Sequence, residues 1–243
     1  MTFSYEKVLI IGATSGIGKA LATKLVQNGT KVIISGRRKE NLETFIQDNG
    51  SDKVQAKPFD ITQLDQINKF ASDVIAENPD LDCIFVNAGI QRPFDFSKTD
   101  TVDLDILDQE LVINYTAPVR IAKAFIPHLQ RQEKQTALAF TTSQLAIIPM
   151  LRCPNYGASK AALHHFIITL RTQMQNGPGN VKVLEILPPA EFMDDAWAQI
   201  NAGDEQIAVG SAKDIVDAVE PKRNELYQHM TQMLTGLIKQ FLK

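Results

Sequence analysis

Apolar positions along this chain follow two alternating rhythms. Strands are predicted near residues 7–11, 31–35, 53–58, 82–87, 136–142 and 181–187, most of them short stretches rich in β-branched and other apolar residues that suit burial in a sheet. The first is the plainest, with Val8, Leu9, Ile10 and Ile11 in an unbroken row. Between the strands, apolar residues recur every three or four positions near 17–28, 39–48, 63–77, 102–131 and 157–175, the period of an amphipathic helix. Ala20, Leu21, Leu25 and Val26 carry the first such stripe. Regular alternation of strand and helix predicts an α/β fold in which a parallel sheet is covered by helices on both faces. Residues 206–210 suit a short seventh strand. From about 211 to 243 the chain reads as helical, with Leu234, Ile238 and Leu242 four residues apart, and Pro221 is expected to break or kink that helix.

Length and composition add bounds. A chain of 243 residues, 44% of them hydrophobic, fits one domain (1–243) with a full core. Its net charge of −3 offers no basic surface for nucleic acid or an anionic membrane, and no apolar run is long enough to span a bilayer. The first residues lack the charged and apolar regions of a signal peptide, so a cytoplasmic location is expected. Cys83 and Cys153 are the only cysteines, and a disulfide between them is not expected there. No His/Cys cluster has zinc spacing, and the adjacent His164 and His165 read as structural rather than as metal ligands.

Two motifs carry chemistry. The first strand runs into Gly12, Ala13, Thr14, Ser15, Gly16, Ile17 and Gly18, a G-x-x-x-G-x-G turn that opens the first helix. Glycines let the backbone turn sharply beside a pyrophosphate, and free N–H groups at the helix N-terminus face the anion. Further on, Tyr156 and Lys160 stand four apart on a predicted helix and therefore share a face. A nearby ammonium favours the phenolate and draws a tyrosine towards proton transfer at neutral pH. Ser143 precedes the pair at the end of a strand.

Taken in order, the glycine turn, Asp60, Asn87-Ala88-Gly89, Asn114, Ser143, Tyr156 and Lys160 resemble the short-chain dehydrogenase/reductase family over most of the chain. The resemblance implies a doubly wound (Rossmann-type) sheet of six to seven strands in the order 3-2-1-4-5-6-7. It also implies a role for each matched residue. Tyr156 would give a proton to a carbonyl oxygen as a hydride arrives, Ser143 would hold that oxygen, and Lys160 would bind the nicotinamide ribose and lower the Tyr156 pKa. Asn114 would hold a water linking Lys160 to solvent. Asp60 and Ile61 would meet the adenine, Asn87, Ala88 and Gly89 the adenosine ribose, and Pro188 would lie by the nicotinamide. Family members commonly form homodimers or homotetramers through the helices bearing Asn114 and Tyr156. Ile121, Ala124, Phe125, Leu163, Phe166 and Ile167 suit such an interface or the core.

The nucleotide type can be argued from charge. Where an NAD-preferring fold carries an acid after the second strand, this chain has Gly36, followed by Arg37 and Arg38. Loss of a carboxylate and gain of guanidinium groups suit the 2′-phosphate of NADP, with Arg37 the stronger candidate. One stretch departs from the family pattern. Pro189 replaces a glycine after the sixth strand and Met193 stands where a threonine would hydrogen-bond the carboxamide or a phosphate. The segment of about 190–204, with Phe192, Asp194, Asp195 and Trp197, would form a short substrate lid. The expected activity is NADP-dependent oxidation or reduction of a small carbonyl or alcohol substrate. The rival is a redox-sensing or regulatory protein that keeps the fold and the nucleotide but not the turnover.

Overall fold

Seven strands form one parallel sheet in the computed structural model, which describes the backbone of residues 4–187 and 193–241 and the side chains of 4–187 and 195–232. The strands are β1 (Lys7–Ile11), β2 (Lys31–Gly36), β3 (Val54–Pro58), β4 (Cys83–Val86), β5 (Thr136–Thr141), β6 (Val181–Leu187) and β7 (Gln206–Ala208). Their spatial order is 3-2-1-4-5-6-7, with every neighbouring pair parallel.

Alternate residues of each strand feed two cores. Val8 and Ile10 of β1 pack with α1 (Gly16–Gln27), α2 (Lys39–Asn49) and α7 (Met193–Ala202) on one face. Leu9 and Ile11 pack on the other, against α3 (Ile67–Glu77), α5 (Ala117–Gln130) and α6 (Pro154–Asn176). A strand buried on both faces needs apolar residues at every position, which explains why β1, β2 and β4 read as unbroken runs. Ile121, Phe125, Leu163 and Ile167 belong to the second core, and Ala124 and Phe166 pack against it half-buried. Cys83 and Cys153 are buried free thiols.

Four local features differ from the sequence expectation. The helix expected over 63–77 starts at Ile67. Before it, the Asp60 carboxylate accepts from the Thr62 N–H and hydroxyl and so shapes a turn rather than a helix cap. The long helix expected over 102–131 is three segments: α4 (Leu104–Leu111), a π turn over Val112–Thr116, and α5. Pro221 sits inside α8 (Ser211–Phe241) and does not end it. Proline cannot donate to the carbonyl four residues back, but Asp217 and Pro221 are both exposed, so water can take that bond. Lastly, Trp197 of the expected lid is buried in the first core with Ala196 and Ile200.

Because the strands are parallel and in register (Ile11 beside Ser35 and Val86, Val86 beside Phe140), their C-terminal ends finish together. β1 and β4 adjoin where the strand order reverses, and the crevice there is the usual ligand site of such sheets.

Candidate active site

The glycine turn follows β1 and is held from two sides. Gly12 and Ala13 donate backbone N–H bonds to the Ser35 carbonyl of β2. Asn87, after β4, donates from Nδ2 to the Gly12 carbonyl at 2.9 Å and accepts at Oδ1 from the Thr141 hydroxyl at 2.9 Å. Asn87 thus braces the turn against β5, a role beyond that of a turn former. Glycine is required at two positions by contact. A Cβ on Gly12 (φ +95) would lie 2.5 Å from the Ala88 nitrogen, and one on Gly18 would lie 2.1 Å from the Gly12 oxygen. α1 begins at Gly16 with no acid in its first turn, and its N-cap Ser15 makes no side-chain cap bond. The N–H groups there are left for an anion.

A cleft of about 410 Å³ opens over this turn. One end is lined by Gly36, Arg37, Arg38, Asp60 and Ile61, the other by Ser143, Tyr156 and Lys160. Thr14, Ser15, Gly16 and Ile17 form its floor, with Asn87, Ala88 and Gly89 beside them. Of the site residues inferred from sequence, Gly18 lies beneath the turn, Asn114 lies behind the cleft, and Pro188 is outside the described residues, as are Pro189 and Phe192.

The arginines differ. Arg38 donates from Nη2 to the hydroxyls of Thr14 and Ser15, both at 2.7 Å, and so is committed to the turn. Arg37 is 59% exposed, with Nη1 4.0 Å from Asp60 Oδ2, which leaves its fork open to the cleft. A side chain at Gly36 would collide with Thr14, its Cβ 2.6 Å from the methyl carbon.

At the opposite end, Lys160 is buried and donates from Nζ to the Thr141 carbonyl at 2.8 Å. Burial lowers its pKa to about 8, with the Glu185 carboxylate pulling the other way. Its ammonium lies 5.8 Å from the Tyr156 ring centre. The Tyr156 phenol is held above its usual value, chiefly by burial, while a hydrogen bond with Ser143 acts against that and the charge of Glu110 adds to it. The expected lowering by Lys160 is therefore not what governs this tyrosine here, since the ammonium is turned to Thr141.

Asn114 is fully buried in the π turn. Its Oδ1 accepts from the Ile90 N–H at 2.9 Å, and its Nδ2 donates to the Ile90 carbonyl at 2.8 Å and the Ser159 hydroxyl at 3.0 Å. Gly89 fits between Asn114 and Lys160: a Cβ there would stand 3.3 Å from Asn114 Oδ1 and 3.4 Å from Lys160 Nζ. Several residues escaped the sequence reading. Glu110 is wholly buried and accepts from the Arg92 N–H and from Asn155 Nδ2, both at 2.7 Å, clamping the loop after β4 to the start of α6. Thr141 and Thr142 tie β5 to Asn87 and to Glu185. An acid inside an apolar stripe was the available signal for Glu110 and Glu185 alike.

A model of short chain dehydrogenases matches residues 6–200 of the sequence. The chain belongs to the short-chain dehydrogenase family. This is a family of oxidoreductases, and among curated members DltE of Bacillus subtilis strain 168, named as an uncharacterised oxidoreductase, is 36% identical over 189 residues, spanning 78% of this chain and 73% of its own. Of several other curated relatives the chain spans little more than half the length. Solved members share the fold. A short-chain dehydrogenase of Burkholderia cenocepacia in complex with NADP superposes with a TM-score of 0.76 at 23% identity, over 94% of this chain and 98% of its own. One from Burkholderia phymatum in complex with NAD gives 0.70 at 20% identity, over 77% and 66%. No group of three or more His, Cys, Asp or Glu among the described residues is arranged to hold a metal ion. Nor is any described helix long and apolar enough to cross a membrane.

Proposed function

We propose that the protein is an NADP(H)-dependent oxidoreductase that interconverts a small carbonyl compound and its alcohol. The observation that carries this most is the make-up of one cleft, with an open guanidinium at one end and a serine, phenol and ammonium at the other. Between them lies a helix N-terminus with no acid in its first turn. That donor set fits a dinucleotide carrying a 2′-phosphate: Arg37 would bind the phosphate, the α1 turn the pyrophosphate, and Lys160 the nicotinamide ribose. When bound, the nicotinamide supplies or accepts the hydride.

The remaining work falls to side chains of this chain. In the direction of reduction, negative charge grows on the carbonyl oxygen as its carbon gains the hydride. The Ser143 hydroxyl donates a hydrogen bond to that oxygen, and Tyr156 transfers its phenolic proton to it. Burial keeps the tyrosine in the protonated form that this direction requires. Solvent then restores the proton, with Lys160 and the neighbouring Asn114 bordering the route.

An NADPH-oxidation screen over aldehydes, ketones and quinones tests the reading, with Tyr156→Phe as its control. Turnover by wild type that drops by about 10²-fold or more in the variant is expected. NADPH binding without turnover of any carbonyl would favour the nucleotide-binding regulatory reading, and unchanged turnover in Tyr156→Phe would remove the assigned proton donor.

A further inference from the structure

The spacing that joins Tyr156 to Lys160 continues one turn further, to His164. All three lie on the face of α6 that meets the sheet, and His164 is buried at 3% exposure. Its Nδ1 donates to Glu185 of β6, 2.8 Å from Oε1 and 3.0 Å from Oε2. Glu185 has no exposed surface and also accepts from the Thr142 hydroxyl at 2.6 Å. Thr142 sits between Thr141, whose carbonyl holds Lys160, and Ser143. On the outer side, His164 Nε2 is 3.5 Å from Glu220 of α8, and Glu220 pairs with Arg223 at 2.5 Å. Arg223 also lies against His164 Nε2, and Gln206 of β7 hydrogen-bonds Glu220. Among the described residues, the charged groups that act on Glu185 and His164 are Lys160 from α6 and Glu220 and Arg223 from α8.

A buried carboxylate in a sheet core is poor value for stability, since apolar residues of like volume usually serve as well. Here the carboxylate stands one hydrogen bond from the backbone that carries both the Lys160 anchor and Ser143. We propose that Glu185, held by His164 and through it by Glu220 and Arg223 of α8, is a positioning residue that fixes the Thr141–Ser143 turn and sets the charge felt by Lys160. The C-terminal helix thereby helps to build the catalytic end of the cleft. The role in catalysis rests on the oxidoreductase reading above; the effect on Lys160 does not.

Two variants act in opposite directions. Glu185→Gln keeps the acceptor for Thr142 but removes the negative charge, so Lys160 loses its proton more readily. His164→Asn removes a cation, because two carboxylates at its two ring nitrogens outweigh the one guanidinium and keep the imidazole charged. Glu185 is then freer to support the Lys160 ammonium. The titration of Lys160 is read directly from its 13Cε resonance, assigned with Lys160→Arg, in folded protein without cofactor. Its midpoint is expected to fall by about one pH unit in Glu185→Gln and to rise in His164→Asn. In turnover, the alkaline limb of the NADPH-dependent rate should move the same two ways. Unchanged midpoints, or the same direction in both variants, would overturn the proposal, as would a uniform loss of rate with the limb in place. If one variant fails to fold, the sign of the other decides. Opposite midpoint shifts in a protein that turns over no carbonyl would keep the Glu185–Lys160 coupling and reject the oxidoreductase reading instead.

Discussion

Lys160 Nζ donates to the carbonyl oxygen of Thr141 at 2.8 Å, two residues ahead of Ser143. The bond links α6, which bears the tyrosine, to β5, which delivers the serine, so both proton-handling groups share one anchor. It also directs a buried ammonium to a neutral carbonyl rather than to a carboxylate. That is the setting in which a lysine gives up its proton easily.

The first consequence concerns pH. With Lys160 lowered to about 8, the ammonium is present below that value and is lost as pH rises through it. The kcat/KM for reduction should therefore decline above about pH 8. Lys160→Arg, which stays charged throughout, should lower the rate but remove this limb. A limb that persists in the arginine variant belongs to another group.

Stability should also depend on pH, through His164. Burial alone would lower its pKa, but Glu185 and Glu220 outweigh it and raise it to about 9 from the usual 6.5. A group whose folded pKa is raised contributes stability that is complete below about pH 6.5 and is lost as pH climbs through about 9. Thermal midpoints should fall between about pH 6.5 and 8, and level off above that, where Lys160, lowered from 10.5 to about 8, acts with the opposite sign. In His164→Asn the fall should be shallower, from a lower starting value. A parallel decline in both proteins would place its source elsewhere.

The two arginines should separate by cofactor. Arg37→Ala should weaken NADPH by roughly 10- to 100-fold, the scale of a lost charged hydrogen bond, and leave NADH almost unaffected. Arg38→Ala, which frees the Thr14 and Ser15 hydroxyls, should weaken both cofactors together. Titration of nicotinamide fluorescence distinguishes the cases, and equal losses of both cofactors in Arg37→Ala would sink the 2′-phosphate assignment.

The glycines of the turn are not equivalent. Gly18→Ala drives a methyl into the Gly12 carbonyl and Asn87 Nδ2 and should abolish measurable dinucleotide binding. At Gly16 nothing stands within 4 Å, so alanine meets only the strain of φ +55, about 1 kcal/mol. Comparable binding by the two variants would mean that the turn rearranges freely.

Asn114→Ala should act locally before it acts on chemistry. It strands the N–H and carbonyl of Ile90 and the Ser159 hydroxyl in the interior, a loss of about 2–4 kcal/mol. Hydrogen exchange at the Ile90 amide should accelerate far more than at β1. Unaltered exchange at Ile90 would show that water replaces the asparagine.

Much of this was legible in the residues. The unbroken run from Val8 to Ile11 declared a two-faced parallel strand, and the glycine turn and the Tyr156–Lys160 spacing marked both ends of the cleft. What stayed hidden depends on contacts between distant segments. No local pattern shows that Asp60 spends its carboxylate on Thr62, so α3 starts four residues later than its apolar stripe suggests. His164 and Glu220 lie 56 positions apart, and only the fold brings α8 onto α6 to join them. Pro221 does not end α8, because the cost of a proline depends on exposure, and exposure is a tertiary fact. The Tyr156–Lys160 pair shows the same limit: spacing put them on one face, while the Thr141 carbonyl decided where the ammonium points.

Between α4 and α5 the chain passes through the π turn at Val112–Thr116. A π turn holds one more residue than the α-helical path it interrupts, and each α-helical residue turns the chain by about 100°. α4 and α5 are therefore out of phase with one another by that single residue. Deleting any one position between 112 and 116 would let an ordinary helix form with better backbone bonds, yet it would swing Glu110 on α4 away from Asn155 or Asn114 away from Ile90. The helix cannot be made more regular without dismantling a wall of the cleft, and a one-residue deletion here should be worse tolerated than a one-residue deletion in the exposed loop at 95–98.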